Sequence, residues 1–103
     1  MAYNIKTGDL DPPIRATLKD QDNTAVDITG GTVTFRWRRK GTSTWTSGSA
    51  SITLASAGTV YYRFTTGQTD TAGTYESEWI VTTSGNPRTY PSEGFELFYI
   101  NDD

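Results

Sequence analysis

Few residues in this 103-residue chain are equipped for chemistry, and the most suggestive are paired carboxylates. Asp9 and Asp11, and separately Glu76 and Glu78, stand two positions apart. On a strand that spacing puts both carboxyls on one face about 7 Å apart, the geometry of an acid and a base for glycoside hydrolysis. Such a pair works only if burial or a neighbouring charge separates its two members. Glu76 and Glu78 alternate with Tyr75, Ser77, Trp79 and Val81, so they are expected on the wet face, solvated. The chain has no His and no Cys. That removes the usual general base, the commonest metal ligand and any thiolate nucleophile, together with disulfides and Cys-based zinc sites. No enzyme is expected.

Three further constellations bear on binding. Asp20 and Asp22 begin like a calcium loop, but Thr24 and Ala25 stand where a further ligand and the required Gly belong, and Gly31 where the bidentate Glu should be. A looser site of Asp20, Asp22 and Asp27 competes with a tight turn whose side chains bond their own backbone, and the turn is preferred. No metal and no cofactor are expected. Arg36-Trp37-Arg38-Arg39-Lys40 is basic with an aromatic inside it, as in a nucleic-acid surface. The alternation instead turns Trp37 inward and Arg36 and Arg38 outward, where Glu76 and Glu78 could pair with them across a sheet. With 9 basic against 12 acidic residues and a net charge of −3, neither nucleic acid nor an anionic membrane is an expected partner. Trp45, flanked by Ser43, Thr44, Thr46 and Ser47, is the one Trp placed on a loop and would be the centre of a carbohydrate-binding module.

The elements that must position these residues read as strands. Apolar residues alternate at Ile14-Ala16-Leu18, Val33-Phe35-Trp37, Ile52-Leu54, Val60-Tyr62-Phe64, Tyr75-Ser77-Trp79-Val81 and Phe95-Leu97-Tyr99. Turn chemistry separates them: Asp20-Gln21-Asp22-Asn23, Gly30-Gly31, the Ser/Thr-rich stretch Gly41 to Gly48, Ala57-Gly58, Thr71-Ala72-Gly73, Ser84-Gly85-Asn86-Pro87 and Pro91-Ser92-Glu93-Gly94. This is the rhythm of one all-β domain, an immunoglobulin-like antiparallel β-sandwich of about seven strands without a disulfide. Residues 14–103 form the sandwich and residues 1–13 an N-terminal arm. Gly73-Thr74-Tyr75 fits a tyrosine corner, in which the phenol bonds upstream backbone. Ser77 stands where an antibody domain carries its second Cys, so Trp37 and Trp79 are expected to centre the core.

Tyr61, Ile80, Phe98 and Ile100 fall on the outward side of this phasing, and an exposed apolar patch marks a partner surface. The arm carries Tyr3, Ile5, Leu10 and Pro12-Pro13; it either covers an edge strand or reaches a neighbouring subunit. Tyr3, Ile5, Leu10, Ile80 and Phe98 are the expected contact residues, and a homo-oligomer is one arrangement they would allow. The opening residues lack a signal-peptide core and no apolar run approaches a bilayer span, so synthesis in a cytoplasm is expected.

The order of motifs adds a resemblance that runs along nearly the whole chain. Ile5-Lys6-Thr7-Gly8-Asp9 leads into Pro13-Ile14-Arg15-Ala16-Thr17-Leu18, then Asp20 to Gly30 and Thr32-Val33-Thr34-Phe35-Arg36. Gly58-Thr59-Val60-Tyr61-Tyr62, Thr69 to Tyr75, Tyr90-Pro91 and a last strand ending in Asn101-Asp102-Asp103 follow. This resembles the immunoglobulin-like N-terminal domain of the phage baseplate upper protein family and related small tailed-phage virion proteins. The resemblance implies a non-catalytic virion component that is made in the host cytoplasm and binds other virion proteins of the tail or baseplate. Members of the baseplate type continue into helical and host-facing segments that this sequence does not contain, so a decoration protein of the phage head is the alternative. No catalytic or binding residue carries over.

Overall fold

The computed structural model describes residues 3–91 and 94–102. Nine strands follow one another among them: β1 (Tyr3–Lys6), β2 (Ile14–Thr17), β3 (Thr32–Arg39), β4 (Thr46–Ser49), β5 (Ser51–Leu54), β6 (Thr59–Tyr62), β7 (Gly73–Thr83), β8 (Asn86–Tyr90) and β9 (Glu96–Asn101). A short 3-10 turn at Ala55–Ala57 joins β5 to β6. The larger sheet runs β1-β9-β7-β3-β4, and the smaller β2-β6-β5. Antiparallel β3 and β7 form the spine, in register from Thr32 opposite Thr82 to Arg39 opposite Tyr75. The other side of β7 is shared: β9 pairs with Gly73 to Ser77, and β8 with Trp79 to Thr83. These two sheets packed as a sandwich reproduce the expected immunoglobulin-like order.

Local chemistry explains the connections. Ser84 and Gly85 both take positive φ, 51° and 80°, between the paired Thr83 and Asn86, which makes the two-residue hairpin of strands with native twist. Pro87 is tolerated in β8 because that strand lies at an edge. Asp20 folds its own turn, its Oδ1 accepting the backbone N–H of Asp22 at 2.9 Å and of Thr24 at 3.0 Å. Gly58 closes the 3-10 turn at φ 67°, where a Cβ would meet the Val26 carbonyl oxygen at 2.5 Å; only glycine fits there. The bend expected from Pro91 to Gly94 includes Ser92 and Glu93, which lie outside the described residues.

Rings fill the space between the sheets. Phe35 is fully buried, with ring centroids 4.5 Å from Trp79, 5.2 Å from Tyr62 and 5.4 Å from Trp37. Phe64 stands edge-on to Trp37 at 5.4 Å. Trp37 and Trp79 are thus central, as the missing disulfide led us to expect, and each such side chain contributes about 1.5–3 kcal/mol by leaving water. The tyrosine corner is formed: the Tyr75 phenol donates to the Thr71 carbonyl at 2.6 Å. Ser77 is fully buried and satisfied, its hydroxyl donating to the Glu96 carbonyl at 2.9 Å.

Several expectations need correction. The last strand faces the other way: Phe98 and Ile100 point into the core, whereas Phe95 and Leu97 are each 38% exposed. Phe95 to Ile100 holds five apolar residues in six, so alternation carries no phase. Pairing decides it, with Phe98 directly opposite inward-facing Tyr75, since paired residues share a face. The sheets are not purely antiparallel, because β1 runs parallel to β9. The arm therefore covers an edge strand of its own chain and buries Ile5. Leu54, expected inward, is exposed at a register shift between Ile52 and Leu54. The second half of the Gly41–Gly48 loop belongs to β4. Among the described residues no helix is long and apolar enough to cross a membrane.

Candidate functional site

The outward face of the larger sheet gathers the side chains with most binding capacity. Side chains directly opposite one another across neighbouring strands share a face, and the register orders two rows. Arg38 on β3 is opposite Glu76 on β7, which is opposite Leu97 on β9. Trp45 extends this row beyond β3, being one residue outside the Trp37–Thr46 pair. The second row holds Ser47, Arg36 and Glu78, with Phe95 one residue outside the Ser77–Glu96 pair. Read across the sheet, the first row is apolar, positive, negative, apolar.

The charges are paired as their alternation implies. Arg36 Nε donates to Glu78 Oε1 at 2.6 Å, and Nη2 donates to the same oxygen. Arg38 Nε donates to Glu76 Oε1 at 3.1 Å. Glu78 departs from the expected solvated carboxylate: its side chain is 7% exposed, against 33% for Arg36. The guanidinium bonded to it replaces the lost water, as a buried carboxylate requires.

Aromatic rings lie over these pairs. The guanidinium carbons of Arg36 and Arg38 each stand 4.4 Å from the Trp45 ring centroid, and that of Arg38 stands 5.0 Å from the Phe95 ring. The Trp45 and Phe95 centroids are 5.7 Å apart. Cation–π contact at these distances holds the flexible arginines flat against the sheet. Sequence reasoning placed Trp45 alone on a loop and turned Phe95 inward; the stacking joins them. Ile80 lies on this same face, half-buried, opposite Thr34 and Thr89.

The remaining candidates are scattered. Phe98 and Ile5 belong to the core. Tyr3 is half-buried against Phe98, its ring 6.1 Å away, and its phenol donates to the Pro12 carbonyl. Burial raises that phenol's pKa to about 12. Leu10 is half-buried on the arm. Asp9 and Asp11 are exposed, Asp11 pairing with Arg63, and neither Asp shares the buried setting an acid/base pair needs. Asp27, also exposed, accepts hydrogen bonds from the Thr29 hydroxyl and backbone, which hold its carboxyl below the usual range. Among the described residues no group of three or more acidic, His or Cys side chains converges on a metal-sized space. A cleft of about 560 Å³ between the end of β2 and β7–β8, lined by Leu18, Asp20, Trp79 and Tyr90 among others, contains neither candidate carboxylate pair.

No known protein-family model matches the chain, and no curated protein matches it.

Proposed function

We propose that this chain is a non-enzymatic structural module of a tailed-phage virion, belonging to the tail or baseplate, that assembles on other proteins through the outer face of its larger sheet. The observation that carries the reading is the stacked cluster of Trp45 and Phe95 with Arg36 and Arg38, with exposed Leu97 beside it on the same face. A sheet face turned to water ordinarily carries polar side chains, yet Phe95 and Leu97 are each 38% exposed here. Aromatic and arginine side chains are the residues enriched at the centres of protein interfaces. Their mutual stacking fixes their rotamers in advance, which lowers the entropic cost of docking. Ile80 remains a peripheral contact on that face, while Tyr3 and Leu10, packed against the core, and Ile5 and Phe98 within it stabilise the fold instead.

The virion setting rests on the resemblance carried by the order of turns and strands from Ile5 to Asn101. A decoration protein of the head would use the same face, and fractionation separates the two. A carbohydrate site at Trp45 is less favoured, because two guanidiniums already stack on the ring a sugar would need. Quantitative mass spectrometry of purified particles from the phage that encodes the chain, with heads and tails separated, tests the reading. Stoichiometric copies in the tail fraction are expected; a chain confined to the soluble lysate would overturn it.

A further inference from the structure

The outer face is complementary to itself, and we infer that its partner is a second copy of this chain, packed face to face. This inference rests on the docking face identified above and names the first protein it meets. Trp45, Arg38, Glu76 and Leu97 form one row across the sheet, with Ser47, Arg36, Glu78 and Phe95 beside it, Trp45 and Phe95 lying one residue before β4 and β9. In these two rows the positive side chains lie on β3 and the negative ones on β7.

Two copies of a sheet can meet about a two-fold axis in two simple ways. An axis running across the strands sets β3 over β3 and β7 over β7, placing arginine on arginine and carboxylate on carboxylate. An axis running along the strands, between β3 and β7, sets each β3 over the partner's β7. Arg38 then faces Glu76 of the second copy, and Trp45 faces its Leu97. The apolar–positive–negative–apolar order matches itself only in this second arrangement. Like-charge juxtaposition penalises the first.

The groups are accessible enough to take part. Side-chain exposure is 33% for Arg36, 23% for Arg38 and 17% for Glu76. Among the described residues Arg38 bonds Glu76 through Nε alone, and a guanidinium can serve a second acceptor through the rest of its fork. The four charges of the two copies would close an alternating ring capped on both sides by apolar contact between Trp45 and Leu97. The partner is thereby selected by sign and by register together.

Light scattering after size exclusion tests this with charge reversals. The wild-type chain is expected to form a dimer of twice the chain mass as concentration approaches the millimolar range. Arg38→Glu makes the row uniformly negative, and Glu76→Arg makes it uniformly positive. Each alone is expected to weaken the dimer by about a hundredfold or more. An equimolar mixture of the two single variants is expected to recover a heterodimer, and the double swap Arg38→Glu/Glu76→Arg a homodimer. Both recoveries require folded variants, which circular dichroism verifies, and a merely sticky apolar patch produces neither. A wild-type chain that stays monomeric throughout, or single variants that pair as well as wild type, would overturn the inference. A monomer that nevertheless joins particles overturns self-pairing and spares the assembly reading. A dimer absent from particles does the reverse.

Discussion

Replacing Arg36 by Met isolates the electrostatics of the larger sheet's outer face. The Glu78 side chain is 7% exposed and depends on a guanidinium that is itself 33% exposed. Without Arg36 the carboxylate keeps its charge in a place that admits little water. Breaking one side of a fully buried ion pair costs about 3–5 kcal/mol; here solvent reaches the vacated position from the arginine side, and the expected loss is about 2 kcal/mol. Glu78→Met leaves a guanidinium that water can solvate and that still stacks on Trp45, so about 1 kcal/mol is expected. The double replacement removes both charges and sets apolar groups against the Trp45 ring. It should unfold within about 1 kcal/mol of wild type. Urea unfolding followed by tryptophan fluorescence on all four proteins gives the coupling between the sites, expected at about 2–3 kcal/mol. A coupling below about 0.5 kcal/mol, with the single losses simply adding, would refute the argument that Glu78 depends on Arg36.

Three further outcomes follow from the same structure. Phe98→Ala should lose about 3–5 kcal/mol in urea unfolding, whereas Leu97→Ala, one residue away, should change stability by less than about 1 kcal/mol; equal losses would mean that the last strand is wrongly phased. Gly58→Ala combines a left-handed backbone, costing about 1–2 kcal/mol, with a Cβ 2.5 Å from the Val26 carbonyl oxygen. It should therefore melt well below Gly85→Ala, whose φ is 80° but whose Cβ would meet nothing within 4 Å. Burial raises the Tyr3 phenol from 10.0 to about 12, so the stability it lends is complete below pH 10.0 and is lost as pH climbs towards 12. Ultraviolet titration should show a late-ionising phenol that Tyr3→Phe removes.

What could be read from the sequence follows from where each strand gets its support. Strands β3 and β7 are buried on one face and wet on the other, so Val33-Phe35-Trp37 and Tyr75-Ser77-Trp79-Val81 alternate visibly and their phase is right. The pairing of Arg36 and Arg38 with Glu78 and Glu76 follows from that phase. Strands β4 and β8 carry no such alternation, since each is an edge that borrows its hydrogen bonds from a stronger neighbour, and β1 alternates over only the four residues Tyr3 to Lys6, too short a run to stand out. In β9 apolar residues occupy both faces, and only pairing to β7 separates Phe98 from Leu97. The outer face of the larger sheet was half legible for the same reason. Its charges lie in the two clear strands, but Trp45 and Phe95 come from flanking segments more than forty positions apart, and the contact between them is a product of the fold.

The claim that the outer face of the larger sheet is the assembly surface is tested most directly by photo-crosslinking within assembled particles. One photoreactive residue would replace Leu97 on that face, and another would replace Leu54, which is 56% exposed on the smaller sheet. The probe at position 97 is expected to join a second copy or a neighbouring virion protein, while the probe at position 54 joins neither. Crosslinks from position 54 with none from position 97 would contradict the claim.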